Sequence, residues 1–185
     1  VRIAGLPVDS GKRLLGIQLQ RTALLENLTA RELIELYAGL YDVHLSRAQI
    51  DALLTQFDLR EQADKLTRRM SGGQQQRLAL ALAVANDPQI VLLDEPTESL
   101  DPHARRAIWG IIRQLREQGR TVLFTTHQME EAEALCDRVA ILDRGRLVAC
   151  DTPARLVAGL GAHPVLKATV EMPIEQMRGL TGVLR

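Results

Sequence analysis

In TARELIELYAGLYDV, residues 29 to 43, apolar side chains at Leu33, Leu36, Tyr37 and Leu40 recur at helical spacing. Thr29, with Glu32 three positions on, marks the start of that helix as a capping box. A second helix is expected after Ser46, with Ile50, Leu53, Leu54 and Phe57 along one face. The pattern then changes. SGGQQQRLALALAVANDP is apolar on nearly every side from Leu78 to Ala85 and is halted at Asn86-Asp87-Pro88, which predicts a buried helix. QIVLLDEP reads as a fully buried parallel strand, and DPHARRAIWGIIRQLREQG as a helix with Pro in its first turn and Gly119 past its end. RTVLFTTH reads as another buried strand. Strand, helix and strand in this order predict a right-handed parallel unit of an α/β sheet. RVAILDRGRLVACDTPARLVAGL then supplies two strands joined by a turn at Asp143 to Gly145, followed by a helix capped near Thr152.

Composition narrows the class. A hydrophobic fraction of 46% with 25% charged residues in 185 is that of a globular domain able to bury a core. Lys+Arg and Asp+Glu balance at 23 each, so no global basic field recruits nucleic acid or an anionic membrane surface, and no nucleic-acid partner is expected. The longest apolar run, Leu78 to Ala85, is far short of the ~20 residues a membrane helix needs. VRIAGLPVDS lacks the basic start, apolar middle and cleavage site of a secretory signal, which favours a cytosolic setting. Without an initiating Met, the chain begins as if inside a strand and reads as cut at that end. Cys136 and Cys150 have no metal-ligand spacing and are expected to be buried small residues.

Candidate chemistry gathers where these elements end. Gly11-Lys12 in PVDSGKRLLG is no phosphate loop, because Arg13 stands where Ser or Thr would bind Mg²⁺ and Leu6 where the leading Gly belongs. An exposed polar turn is expected there. The strand in IVLLDEP delivers Asp94 and Glu95 at its carboxyl end, the edge at which open α/β sheets place ligands. One carboxylate of such a pair can attend a metal while its neighbour addresses water; taken alone, the pair equally describes a solvated acidic turn. MSGGQQQR offers a capping Ser, two glycines and the N-terminus of a long helix, a site suited to an anion, although alone it is also a plain capped helix. His127 follows the apolar run Val122 to Phe124 and so falls at the same sheet edge as the two carboxylates, placed to contact a phosphate.

Together these residues resemble the nucleotide-binding domain of the ATP-binding cassette, or ABC, family. Gln20 in LGIQLQ resembles the Q-loop glutamine, and Met70-Ser71-Gly72-Gly73-Gln74 the signature sequence. Asp94 and Glu95 resemble the Walker B aspartate and catalytic glutamate, SLD at 99 to 101 the D-loop, and His127 the switch histidine. All five motifs fall in the family's order, and the interval between Gln20 and Ser71 has room for the family's helical subdomain. Three departures stand out: Met70 for the usual Leu, Leu19 where Pro is frequent, and Glu98-Ser99 where small residues are preferred. Glu98 is expected to point to solvent, since facing the nucleotide it would repel phosphate.

The resemblance implies an α/β, P-loop NTPase fold of ABC type, a parallel sheet core plus an α-helical subdomain at about 28–87, incomplete at the N-terminus. Residues 1–160 would form the partial ATPase domain and 161–185 the start of a C-terminal accessory domain. It also implies a head-to-tail dimer with a second nucleotide-binding subunit, ATP and Mg²⁺ as ligands, and a transmembrane permease partner that holds the subunit at the inner face of the membrane. Ser71, Gly72, Gly73 and Gln74 would meet the other subunit's ATP. Asp94 and Gln20 would attend Mg²⁺, Glu95 would polarise water, His127 would steady the γ-phosphate and Asp101 would link the two sites. The phosphate loop would precede Val1, and the 185 residues alone would then be inactive. A multidrug or antibiotic-type exporter is the expected kind; a catalytically silent regulatory module and a soluble non-transport ATPase are the alternatives.

Overall fold

The computed structural model describes residues 2–20 and 24–159. They fall into two compact units, the first running through Asp137 and the second beginning at Arg138. The expected C-terminal domain at 161–185 lies outside the described residues.

The first unit opens with a two-residue strand pair, β1 (Arg2–Ile3) and β2 (Leu6–Pro7), then a short helix α1 (Val8–Gly11) and a 3₁₀ turn at Lys12–Leu14. Lys12 is exposed, as a turn residue should be. β3 (Leu15–Gln18) leads towards a helical segment made of α2 (Ala30–Gly39), α3 (Arg47–Gln56) and α4 (Gly72–Ala83). Each of these helices begins with a reciprocal cap: Thr29 with Glu32, Ser46 with Gln49 and Ser71 with Gln74. Such boxes satisfy backbone donors that the first turn leaves without partners. Leu33, Ile34, Leu54, Phe57 and Leu59 are fully buried, and α2 packs against both α3 and α4.

The sheet is parallel, in the order β3, β4 (Ile90–Asp94), β5 (Thr121–Thr125), with α5 (Pro102–Glu117) connecting the last two. Gly119 follows α5 at φ +82°, a left-handed stop that glycine adopts without a Cβ clash. One face of the sheet is core: Gly16, Gln18, Val91 and Leu93 are buried, and α4 with the two residues after it contributes Leu78 to Ala85 to the buried interior. The other face departs from expectation. β5 forms one edge of the described sheet, and Leu123 on it is 65% exposed, while Ile17 on β3 is 48% exposed. Alternation along β5 buries only Val122 and Phe124 in part, so this strand is not the fully buried one its apolar run predicts. The first unit ends with α6 (Met129–Leu135).

In the second unit β6 (Val139–Asp143) and β7 (Arg146–Asp151) form an antiparallel hairpin, and α7 (Pro153–Gly159) follows with the Thr152 hydroxyl accepting from Arg155 N. The turn residues Arg144 and Gly145 have φ of +47° and +75°, the backbone twist that a two-residue hairpin turn requires. Neither cysteine is a buried small residue: Cys150 is exposed, and Cys136, in the first unit, is half-buried. Burial, then Glu131 and Asp137, raise the Cys136 thiol pKa.

Two outcomes follow from this packing. A Cβ at Gly16 would lie 1.8 Å from the carbonyl oxygen of Ala83 and 2.8 Å from Cγ of Pro88, so β3 and the end of α4 approach too closely for any other residue. Gly16→Ala is expected to destabilise the chain by about 3 kcal/mol in denaturant titration, and an unchanged midpoint would refute the close approach. Arg31, largely buried, bridges Asp51 of α3 and Asp64, at 3.0 Å from Nε to Asp64 Oδ1, and Arg60 adds a contact to Asp51. Its hydrogen bonds hold the pKa of both carboxyls below the ordinary value. Carboxyls depressed on folding lend stability above the unfolded pKa of about 3.9, and that share vanishes as pH falls through the lower folded values. The stability gap between the parent and Arg31→Met should therefore be open at neutral pH and narrow as the pH drops below about 4; a gap that is constant with pH would sink this account.

Candidate functional site at the carboxyl edge of the parallel sheet

Register decides what meets here. Asp94 of β4 lies opposite Thr125 of β5, and Gln18 of β3 opposite Leu93. The residues that follow each strand end therefore emerge side by side at one edge: Gln20 after β3, Glu95 after β4 and His127 after β5. Glu95 takes a left-handed backbone, φ +45°, a conformation that costs a residue with a Cβ on the order of 1–2 kcal/mol. The turn is fixed by Thr125, whose hydroxyl accepts from Glu95 N at 3.0 Å and donates to Asp94 Oδ1 at 2.6 Å.

The side chains converge on Glu95. His127 Nδ1 lies 3.3 Å from its Oε1, and Gln20 Nε2 donates to its Oε2 at 3.3 Å. The His127 side chain is 64% exposed and that of Glu95 26%, so the carboxylate is sheltered and the imidazole faces outward. Gln20 Nε2 also donates to Glu98 Oε2 at 2.8 Å. Glu98 is exposed, as expected, and its carboxylate also reaches the site, where the glutamine amide gives it a partner. Both carboxylates bond to the Gln20 nitrogen, and among the described residues no hydrogen bond takes the Gln20 carbonyl oxygen, which is left for another ligand.

Ser71 lies on a different element. Its hydroxyl accepts from Gln74 N at 3.3 Å, and Gln74 Oε1 accepts from Ser71 N at 3.0 Å, which closes the α4 cap. Among the described residues no hydrogen bond joins Ser71 to Asp94, Glu95 or His127. Asp101 caps α5, its Oδ1 accepting from Ala104 N at 3.0 Å and His103 N at 2.8 Å, and those bonds, Ala104's first, pull its pKa below the usual carboxylate value. The two helix starts are neighbours: a Cβ on Gly73 would sit 3.5 Å from that of Ala104, whereas Gly72 borders open space. Gln76, one turn into α4, donates from Nε2 to Pro96 O at 2.7 Å and ties this helix to the turn after Glu95.

Thr125 and Gln76 escaped the sequence reading. Strand pairing alone could have placed Thr125 beside Asp94, but nothing in QQQR marks the third glutamine as the one that reaches the turn. For a metal, Asp94, Glu95 and the Gln20 carbonyl provide hard oxygen donors, the chemistry that Mg²⁺ prefers. Among the described residues no group of three or more His, Cys, Asp or Glu side chains could hold a metal ion unaided.

A family described as ABC transporter matches residues 7–98. Nod factor export ATP-binding protein I of Sinorhizobium fredii (strain NBRC 101917 / NGR234) is 40% identical over 163 residues, 85% of this chain and 48% of that protein. Its counterpart in Neorhizobium galegae is 37% identical over 173 residues, 90% of this chain and 50% of the relative. The chain spans about half the length of the curated relatives it matches. Among solved structures, one described as the ATP binding subunit of an ABC transporter superposes with a TM-score of 0.72 at 28% identity, covering 86% of this chain and 69% of the other. With the motifs in order and this α/β fold around them, the chain belongs to the ATP-binding cassette family and has its P-loop NTPase architecture.

Proposed function

We propose that this chain is the ATP-hydrolysing part of an exporter subunit that works through a transmembrane permease, as a head-to-tail pair with a second nucleotide-binding subunit. The observation that carries the reading is the Glu95 carboxylate, sheltered at the sheet edge and held between Gln20 and His127. A carboxylate positioned in this way can take the proton of a water attacking a phosphate, and an exposed imidazole beside it can donate to the phosphate oxygens. The export assignment draws on relatives named for export. Such a subunit works at the inner face of the membrane, and no helix among the described residues is long and apolar enough to cross it.

Each residue then has a task. Asp94, oriented by Thr125, and the free carbonyl of Gln20 would hold Mg²⁺, which when bound neutralises charge on the phosphates. Gly72 and Gly73 would present backbone N–H groups, and Ser71 and Gln74 the side chains that close the cap, at a helix N-terminus that faces the ATP carried by the other subunit, an arrangement suited to an anion. Asp101, the cap of the neighbouring helix, would link the two sites.

Glu95→Gln keeps the shape of the side chain and removes the base. In the full product of the native gene it should retain ATP binding and slow hydrolysis by about 10² or more, as read from phosphate release and nucleotide titration. Hydrolysis near the parent rate would remove Glu95 from the catalytic role.

The 185 residues contain no G-x-x-x-x-G-K-[ST] loop. Losing a single preorganised donor to a transition-state charge costs about 3 kcal/mol, and a phosphate loop supplies several together with its lysine. The purified chain should therefore neither bind ATP tightly nor hydrolyse it alone. Mixed with a complete subunit whose own signature serine is disabled, it should restore phosphate release by lending Ser71 and Gly73. Robust activity of the chain by itself would contradict this assignment of parts.

A further inference from the structure

Glu131 is fully buried, an unusual place for a carboxylate. Its Oε1 accepts two hydrogen bonds, from Thr97 Oγ1 at 2.9 Å and from Trp109 Nε1 at 2.9 Å. Its Oε2 is buried without a partner among the described residues. A buried polar atom left in this state is destabilising, so the carboxylate is a costly way to fill the space if filling space were its task. Among the described residues no side-chain hydrogen bond joins these three to Gln20, Glu95 or His127, yet each belongs to an element that bears on that cluster.

Thr97, itself almost fully buried, is two residues past Glu95 in the turn that closes β4. That turn also carries local bonds, Glu98 N to Glu95 O at 3.1 Å and Leu100 N to Thr97 O at 3.3 Å, so a fixed Thr97 holds from its far side the backbone that Thr125 holds at Glu95 N. On the other side, Glu131 lies four residues past His127, in the first turn of α6, with its N–H donating to Gln128 O at 3.1 Å. Trp109 stands on α5, where Arg113 lies over its ring at 6.0 Å from the centroid. One oxygen thus joins the turn after β4, the long helix α5 and the helix that follows the histidine. The Glu95 to His127 contact itself is open at 3.3 Å, and the imidazole is mostly exposed, so the pair is poorly placed to hold its own spacing.

We propose that Glu131 is the positioning residue of this site: through the Thr97 hydroxyl and the Trp109 indole it sets the backbone carrying Glu95 and the backbone carrying His127 in one fixed relation. The proposal rests on the reading of Glu95 and His127 as the hydrolytic pair. Thr97 is the arm that reaches Glu95, and Trp109 anchors the junction to α5.

Trp109 is the single tryptophan of the chain, so its emission reports on the junction without any need for activity. In the purified chain, Glu131→Ala removes the acceptor and should shift the emission maximum, whereas Glu131→Gln keeps an oxygen in place and should leave it at the parent value. In the full product of the native gene, Thr97→Val deletes the hydroxyl and preserves the shape. Turnover of ATP is expected to fall about tenfold or more with KM for ATP changed less than about twofold, because displacing a catalytic group by about an ångström is enough to cost that much. Thr97→Ser, which returns the hydroxyl, should recover most of the loss. The proposal is overturned if a folded Glu131→Ala leaves the emission unmoved, if Thr97→Ser is no better than Thr97→Val, or if the lost turnover only tracks a lost folded fraction in thermal melts. Where Glu131→Ala does not fold, the Thr97 pair decides. A parent protein that hydrolyses no ATP overturns the functional reading and this proposal together, while an active parent whose Thr97→Val variant keeps full turnover overturns this proposal alone.

Discussion

Parallel pairing of β4 with a neighbour on each side is the constraint on which the site depends. Parallel strands send all their carboxyl ends to one edge, so Gln20, Glu95 and His127, far apart in sequence, emerge within hydrogen-bond reach. An antiparallel partner for β4 would have delivered one of them to the opposite edge. The pairing in turn requires α4 to lie close under β3, and that closeness is set by Gly16 against the carbonyl of Ala83. The polar residues at the edge thus inherit their geometry from a close backbone contact further down the strands, remote from the site.

The helical segment is organised on a different principle. Its helices are short, and short helices are marginal in isolation, so their ends and buried faces carry the stability. Three reciprocal caps start α2, α3 and α4, while Leu33, Ile34, Leu54 and Phe57 close the interior and the Arg31 cluster joins α2 to α3 and to the loop at Asp64. At α4 the two principles meet. The Ser71 cap is an ordinary helix start by its bonds, and the same start lies beside that of α5 through Gly73 and Ala104 and is tied to the Glu95 turn through Gln76.

Elements whose information is local were legible in the sequence: the Thr29 capping box, the apolar helix from Leu78, the proline at the first turn of α5 and the Asp143 to Gly145 turn all appear where the pattern put them. The sheet edge was legible too, because an apolar run ending in Asp94-Glu95 or in His127 states which end of a strand is polar. What could not be read is set by partners distant in the chain. The exposure of Leu123 depends on which faces of β5 are covered, and the orientation of Glu98 on a glutamine at the end of another strand. Glu131 gave no signal at all, since in MEEAEAL it is one of three glutamates and only the fold singles out which of them is buried.

The left-handed backbone at Glu95 also bears on how the gene can drift. Glycine and aspartate tolerate that conformation best among the residues one nucleotide change away from a glutamate codon, whereas valine, equally near, is β-branched and resists it. The substitutions the fold accepts most readily are thus ones that shorten or delete the side chain while the turn stays intact. A change of that kind would leave the turn intact while the reach towards Gln20 and His127 is lost, so the backbone at this position is indifferent to the side chain that the site uses.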